Sequence, residues 1–105
     1  MTDKRIVLTT AGSKTEAQQI ARVLVERRLA ACVNISSLLE SVYRWKGKVE
    51  TAKEYLLIIK TTADAFDGVR DAVRELHSYD LPECIVLPVE GGSDDYLAWI
   101  GENVE

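Results

Sequence analysis

Residues 49–62, VETAKEYLLIIKTT, contain the segment that decides the fold. Four consecutive positions in it, from Leu56 to Ile59, are apolar. Because the side chains of a β-strand alternate between the two faces of a sheet, a strand of this kind is covered on both faces. Residues 5–10 (RIVLTT) and 84–89 (CIVLPV) contain shorter runs of the same type. The sequence therefore predicts a sheet with two apolar faces.

A long β-hairpin is predicted around the N-terminal half of this segment. Residues 30–35 (AACVNI) begin a second strand, which resumes at residues 41–45 (SVYRW) after a break at two serines. Residues 46–48 (KGK) form the turn, because glycine adopts backbone angles that other residues avoid. Alternation places Tyr43 and Trp45 on one face. They form a cross-strand aromatic pair that stiffens the hairpin, an arm that grips a neighbouring subunit, or both, since the two interpretations are compatible.

Helical periodicity predicts two main helices, over about residues 14–28 and 63–76. The first begins with a capping box, in which the Ser13 hydroxyl accepts a backbone N–H and Glu16 reaches back to Ser13. The second carries an apolar stripe of the kind that packs against a core. A short final helix follows Ser93, which can cap it.

The order of elements, β-α-β-β-α-β and a short helix, is typical of an α+β, ferredoxin-like sandwich built on the split βαβ unit. The 105 residues fit one such domain, over residues 1–105. The sheet order of that fold is 4-1-3-2, and Pro88 is compatible with an edge strand or a bulge. Cys32 and Cys84 then lie at opposite edges, too far apart to form a disulfide.

The second face of the sheet predicts an oligomer. Both main helices of this fold cover one face, and the final helix is too short to cover the other. An apolar sheet face exposed to solvent is a liability that association removes. We therefore expect the second face to be buried against other subunits.

Composition and charge exclude several kinds of partner. The chain has 17 acidic and 13 basic residues, for a net charge of −4. Nucleic acids and anionic membranes attract clustered positive charge, so neither is expected as a partner. The longest apolar run, residues 55–59, is far shorter than the roughly 20 residues that a membrane span needs. The first residues contain no long apolar leader, so we expect a cytoplasmic protein with reduced thiols.

The side chains with metal-binding chemistry are concentrated in one loop. His77, Asp80, Glu83 and Cys84 lie within eight residues, but their spacing matches no closed zinc motif. A helix-terminal histidine, a turn aspartate and a small core cysteine would explain the same pattern without a metal. Lys60, at the end of an apolar strand, either extends to solvent or lines a subunit interface or pocket. Both cysteines lie in apolar strand contexts, which argues against a nucleophilic enzyme.

Five blocks of the sequence resemble the CutA family of divalent-cation tolerance proteins: residues 26–34 (ERRLAACVN), 43–48 (YRWKGK), 57–61 (LIIKT), 77–83 (HSYDLPE) and 96–99 (YLAW). The blocks occur in the family's order and cover nearly the whole chain. The resemblance implies a ferredoxin-like subunit of a tight cytoplasmic homotrimer, similar in architecture to the PII trimers. It also implies that the hairpin wraps a neighbouring subunit and that the protein is not an enzyme.

The resemblance implies a role in tolerance of copper and other divalent metals, with copper or another divalent metal as the possible cofactor. Copper-binding members of the family use a cysteine near the end of the first strand and a His-His pair. Here those positions hold Thr9, Leu76 and His77, so only His77 matches the family's ligands. A copper site would then need further donors, such as Glu83, Cys84 or groups from a second subunit.

The resemblance also implies a ligand pocket formed by Trp45, Glu54, Lys60 and Tyr79, beside His77. The leading hypothesis is a non-enzymatic trimer tied to the divalent-metal response, with weak metal binding through His77. The alternative is a PII-like regulator that binds a small anion or metabolite between subunits, with Lys60 as the countercharge. A structural scaffold without a ligand is the third hypothesis.

Overall fold

The computed structural model describes residues 2–105 and shows a mixed α/β fold with an antiparallel sheet and three helices. The elements in chain order are β1 (Lys4–Ala11), α1 (Lys14–Glu26), β2 (Cys32–Ile35), β3 (Leu39–Trp45), β4 (Lys48–Thr62), α2 (Phe66–Leu76), β5 (Ile85–Pro88) and α3 (Asp94–Glu102).

The sheet is organised around β4, which is 15 residues long. Its strands lie in the order β2-β4-β1-β5, and β3 pairs with β4 beyond the end of β2. This is the predicted sheet order, with the second strand divided into β2 and β3. Ser36, which directly follows β2, binds the segment between β2 and β3 to β4. Its amide donates to the Leu56 carbonyl at 2.9 Å, and its Oγ accepts from the Leu56 amide at 2.8 Å. Among the described strands, β5 pairs with β1 alone, so Pro88 lies in an edge strand as predicted.

The predicted hairpin is formed by β3 and β4, from the pair Leu39–Glu54 to the pair Trp45–Lys48. At its turn Lys46 and Gly47 have φ angles of 50° and 81°, which is the geometry of the tight turns that suit twisted strands. Tyr43 lies opposite Glu50. The cross-strand aromatic pair was therefore a wrong prediction, because neither aromatic residue faces another across the hairpin.

Both main helices are shorter than predicted. α1 ends at Glu26, because the amides of Leu29 and Ala30 turn back to the Leu24 carbonyl at 2.9 and 3.2 Å and Arg28 adopts a φ of 59°. α2 begins three residues later than expected, because the Ala63 amide donates to the Asp3 carbonyl at 2.8 Å and so continues the sheet. The caps at Ser13 and Ser93 are confirmed, with their side chains accepting from the third helical residue.

The core lies between one face of the sheet and helices α1 and α2. Its buried side chains alternate along the strands and recur at helical spacing in α1 and α2: Val7, Ala11, Ala17, Ile20, Leu24, Leu57, Ile59, Val69, Ala72 and Val73. Cys32 and Cys84 are free thiols, as the sheet order predicted. Within residues 2–105, no helix is both long enough and apolar enough to span a membrane.

The second face of the sheet is only partly covered within the chain. α3 contacts β1 and β4 and buries Ile100, which is 3% exposed. Ile85 and Leu87 point to this face, since they pair with Leu8 and Ile6 while Val86 pairs with the core residue Val7. They remain 49% and 44% exposed. The final helix is therefore too short to cover the second face.

The core can be tested on α1 with two adjacent residues. Leu24→Ala should lower the free energy of unfolding by about 2–5 kcal/mol, because Leu24 is fully buried and its removal leaves a cavity. Val25→Ala is the matched control, since Val25 is 42% exposed, and it should change stability by less than about 0.5 kcal/mol. Guanidinium unfolding measures both. Equal effects of the two substitutions would contradict this packing of α1.

Candidate functional site

A cavity of about 830 Å³ lies where the hairpin leaves the sheet. β3 and β4 form one wall, with Tyr43 and Trp45 on the same face of β3. The loop after α2 forms the other wall, from Tyr79 to Glu83, and Thr10 of β1 lies at the base. The cavity therefore collects side chains from the three segments that meet at this point of the sheet.

Glu54 is the central polar group of the cavity. It is only 7% exposed, and the Tyr79 hydroxyl donates a hydrogen bond of 2.9 Å to its Oε2. Burial by itself raises the pKa of this carboxyl, but hydrogen bonding to neighbouring hydroxyls, that of Tyr79 among them, outweighs burial and holds the pKa below its usual 4.5. Glu54 is thus a buried carboxylate that its neighbours keep ionised.

The strand geometry explains why Glu54 lies in the cavity. Leu57 and Ile59 face the core, so the alternation of β4 turns Glu54, Leu56 and Ile58 to the opposite face. β3 replaces β2 as the partner of β4 at this point, since Glu54 pairs with Leu39. Glu54 therefore lies on the face opposite to the core, where Tyr79 of the loop after α2 reaches it.

Tyr79 is positioned by Gly12 and His77. A Cβ atom at Gly12 would lie 2.9 Å from the Tyr79 hydroxyl oxygen, so the absence of a side chain at Gly12 lets the phenol approach. The Tyr79 ring also lies 4.6 Å from the His77 ring, centroid to centroid. Burial and the bond to Glu54 raise the pKa of Tyr79 to about 12. The phenol consequently stays protonated and remains a hydrogen-bond donor at neutral pH.

His77 ties the loop to β1. Its side chain is fully buried, its Nε2 lies 2.5 Å from the Thr10 carbonyl, and its Nδ1 accepts from the Tyr79 amide at 3.1 Å. This pattern assigns the neutral tautomer with the proton on Nε2. Both ring nitrogens are therefore occupied by bonds that hold the loop.

Glu16 fixes the same loop from α1. Its carboxylate accepts from the Ser78 amide at 2.6 Å and from the Ser78 hydroxyl at 3.1 Å. Half of the predicted capping box is formed, because Ser13 Oγ accepts from the Glu16 amide at 3.1 Å. The predicted return bond to Ser13 was wrong, since the carboxylate bonds to Ser78 instead.

The residues do not fit the family-type copper site. Thr9 is fully buried, its Oγ1 has no hydrogen-bond partner within residues 2–105, and a neutral hydroxyl is a poor ligand for soft metals. Leu76 has no donor, and a metal could reach a nitrogen of His77 only after a hydrogen bond was broken. Residues 2–105 place no three His, Cys, Asp or Glu side chains together in a way that could hold a metal ion.

Of the four pocket residues expected from the sequence, the structure brings three together. Trp45, Glu54 and Tyr79 line the cavity, whereas Lys60 does not. Lys60 lies six positions after Glu54 on β4, which corresponds to about 20 Å along a strand. The Lys60 ammonium bonds to Asn34 Oδ1 and lies 4.0 Å from Cys32 Sγ.

Several site residues were not identified from the sequence. Ser41 could have been, because it alternates with Tyr43 and Trp45 on one face of β3. Alternation along β1 could also have identified Thr10, because it places Thr10 on the face opposite to the core, the same face as Glu54. The roles of Gly12 and Glu16 had no local signal, because their partners in the loop are more than 60 residues away.

The comparisons with known proteins agree with this fold. The sequence model of the family described as "CutA1 divalent ion tolerance protein" matches residues 5–103. The chain belongs to this family. A curated relative from Thermus thermophilus, named divalent-cation tolerance protein CutA, is 47% identical over 95% of this chain and 97% of its own length. The human protein named CutA is 44% identical over 91% of this chain and 54% of its own length.

Solved structures of CutA proteins superimpose closely on the chain. The divalent cation tolerance protein of Thermus thermophilus aligns with a TM-score of 0.95 at 46% identity, over 97% of this chain and 99% of the other. CutA of Xylella fastidiosa aligns with a TM-score of 0.96 at 39% identity, over 99% and 100%. The first of these proteins is named for divalent-cation tolerance and the second for the family.

Removal of the Tyr79 hydroxyl should raise the pKa of Glu54. Glu54 titrates below 4.5 in the native chain, so it adds stability above its unfolded pKa, and this is lost as the pH falls through the lower native pKa. Tyr79→Phe deletes one donor that keeps the carboxylate charged, and Gly12→Ala should act in the same direction by displacing the phenol. Carbon-13 NMR of labelled glutamate side chains measures the pKa directly.

Tyr43→Phe is the matched control, since Tyr43 lines the cavity but is not among the groups that shift Glu54. It should leave the pKa of Glu54 unchanged. An unchanged pKa in Tyr79→Phe, or a native pKa above 4.5, would contradict the hydrogen-bonded carboxylate.

Proposed function

We propose that the chain is a ferredoxin-like subunit of a cytoplasmic homotrimer that takes part, without catalysing a reaction, in tolerance of divalent cations, copper among them. The observation that carries this proposal is family membership over nearly the whole chain, at 47% identity to a relative named for that tolerance. Two relatives are named for other compartments, one for the chloroplast and one for the periplasm.

The second face of the sheet supports the trimer. Ile85, Leu87 and Trp99 are each more than 40% exposed in the single chain. Such a patch of large apolar side chains beside a short helix is typical of a surface that other subunits cover. The hairpin supports the same proposal, since Val42 and Val49 are 67% and 65% exposed on an arm that projects from the sheet.

The trimer can be tested by mass in solution. Light scattering at micromolar concentration should give about 35 kDa, three times the chain's 11.7 kDa. Leu87→Lys should shift the mass towards a single chain, because it would bury a charge on the second face. Val25→Lys is the control on the helical side, since Val25 is similarly exposed at 42%. A native mass near 11.7 kDa would refute the trimer.

Metal binding through His77 is proposed to be weak. A metal at Nε2 would replace the bond to the Thr10 carbonyl, and a metal at Nδ1 would replace the bond from the Tyr79 amide. Either exchange loosens the loop that holds Glu54. Tight binding of metal by His77 is therefore not the basis of the proposed tolerance role.

Equilibrium dialysis with elemental analysis tests this part of the proposal. With the reduced protein under anaerobic conditions, copper occupancy at micromolar free metal should be well below one ion per chain, and lower again in His77→Ala. His77→Gln is the fold-preserving variant, because its amide nitrogen can still donate to Thr10. One tightly held ion per chain would contradict weak binding, and occupancy that is unchanged in both variants would remove His77 from the metal role.

A second candidate function is that of a PII-like regulator that binds a small molecule in the cavity. The observation that favours it is the buried, hydrogen-bonded Glu54 at the centre of a cavity of about 830 Å³. Small-molecule sites usually have volumes of about 300–1,000 Å³ and a few fixed polar groups. Lys60 lies outside this cavity in the single chain, so a countercharge for an anion would have to come from another subunit.

A further inference from the structure

The cavity is negatively charged within this chain. Four carboxylates line it, from Glu50, Glu54, Asp80 and Glu83. Among its lining residues in the described part of the chain there is no lysine, arginine or histidine. An anion entering the cavity would therefore meet like charge, whereas a cation would find complementary charge.

Aromatic rings form much of the remaining wall. Tyr43, Trp45 and Tyr79 line the cavity together with the carboxylates. Ring faces attract cations that are partly apolar, and tryptophan does so most strongly. Within the chain, the Lys46 ammonium already lies 6.0 Å from the centroid of the Trp45 ring. The Trp45 ring thus already receives a cation of this chain, and an organic cation bound in the cavity would take the place of Lys46.

The hydrogen-bonding capacity of Glu54 distinguishes an organic cation from a metal ion. A carboxylate has about four lone-pair sites, and the Tyr79 hydroxyl donates to one of the Glu54 oxygens at 2.9 Å. The other lone pairs leave a free acceptor site for an N–H donor. Calcium requires six to eight oxygen ligands and magnesium a near-ideal octahedron, which the neighbouring rings cannot supply.

We propose that the cavity binds a small organic cation with an ammonium or guanidinium group, which donates to Glu54 and packs against Trp45. This inference rests on the second candidate function, because it names the class of ligand for that cavity. The free acceptor site on Glu54, the aromatic wall and the excess of carboxylates all favour the same ligand chemistry.

Glu83 adds a second point of attachment. Glu83 lines the same cavity as Glu54, and burial, followed by repulsion from the charge of Glu54, raises the pKa of Glu83 above its usual 4.5. A ligand with two cationic ends would relieve this repulsion. Agmatine, which has a guanidinium at one end and an ammonium at the other, is therefore the probe that suits the cavity.

Calorimetric titration of the full chain with agmatine tests the proposal. Agmatine should bind with saturation, and glutarate, a dianion of similar length, should give no saturable signal. Added sodium chloride should weaken agmatine binding, because exposed charge pairs are screened. The chain has two tryptophans, and Trp99→Phe leaves Trp45 as the one that remains. A fluorescence titration of that variant with agmatine should change the Trp45 emission with the same midpoint.

The variants compare two glutamates of β3 and β4. Glu54→Gln should weaken agmatine binding about ten- to hundredfold, the loss expected for a hydrogen bond to a charged group. Glu40→Gln removes the same charge from an exposed position outside the cavity, and it should change the affinity less than twofold. If Glu54→Gln fails to fold, Glu83→Gln should still weaken binding while Glu40→Gln does not.

Three results would overturn the inference: no saturable binding of agmatine by the folded chain, stronger binding of glutarate, or equal effects of Glu54→Gln and Glu40→Gln. These outcomes are separate from the trimer test. Failure of agmatine to bind a chain of trimeric mass overturns only the ligand class. A monomeric mass overturns the proposed trimer whether or not agmatine binds.

Discussion

The structure depends on one strand, β4, that pairs with three others. Its C-terminal half lies between β1 and β2 in the sheet, and its N-terminal half pairs with β3 in the hairpin. The alternation of side chains along a strand cannot be reset between the two halves without a bulge. The faces of the hairpin are therefore fixed by the faces of the core, and Leu57 and Ile59 in the core determine that Glu54 points to the opposite side.

Three long-range contacts complete the site once β4 has placed Glu54. Glu16 of α1 holds Ser78, His77 holds the Thr10 carbonyl, and Tyr79 reaches Glu54. Each contact joins the loop after α2 to a different element, so the loop is fixed at several points. This explains how a segment with little regular structure can hold a phenol against a buried carboxylate.

The sequence predicted the features that local patterns encode. The order of elements along the chain led to the correct sheet order, and the glycine turn of the hairpin and the edge position of Pro88 were confirmed. The family was also confirmed from blocks spread over the chain. The carboxylate of Glu16 was misassigned, because a capping box is a local pattern and cannot reveal that a loop 62 residues away competes for the same oxygens.

The pocket was predicted less completely than the fold. Trp45, Glu54 and Tyr79 converge, but Lys60 shares only a face with Glu54 and lies six residues further along β4. Alternation shows which residues share a face of a strand. Residues that share a binding site must also lie close together along the strand, and Lys60 and Glu54 do not. The absence of Lys60 leaves the cavity acidic in the single chain, and this is what changes the expected ligand from an anion to a cation.

Amide hydrogen exchange across β4 tests the central claim most directly. Amides of residues 57–60, which lie between two strands, should all be strongly protected. In the hairpin half, residues 49–53, the amides that bond to β3 should exchange slowly in the native chain, so that protection continues past Glu54. Rapid exchange of every amide in residues 49–53 beside a protected sheet would contradict the account, because the hairpin would not then extend the sheet and the cavity at Glu54 would lose its wall.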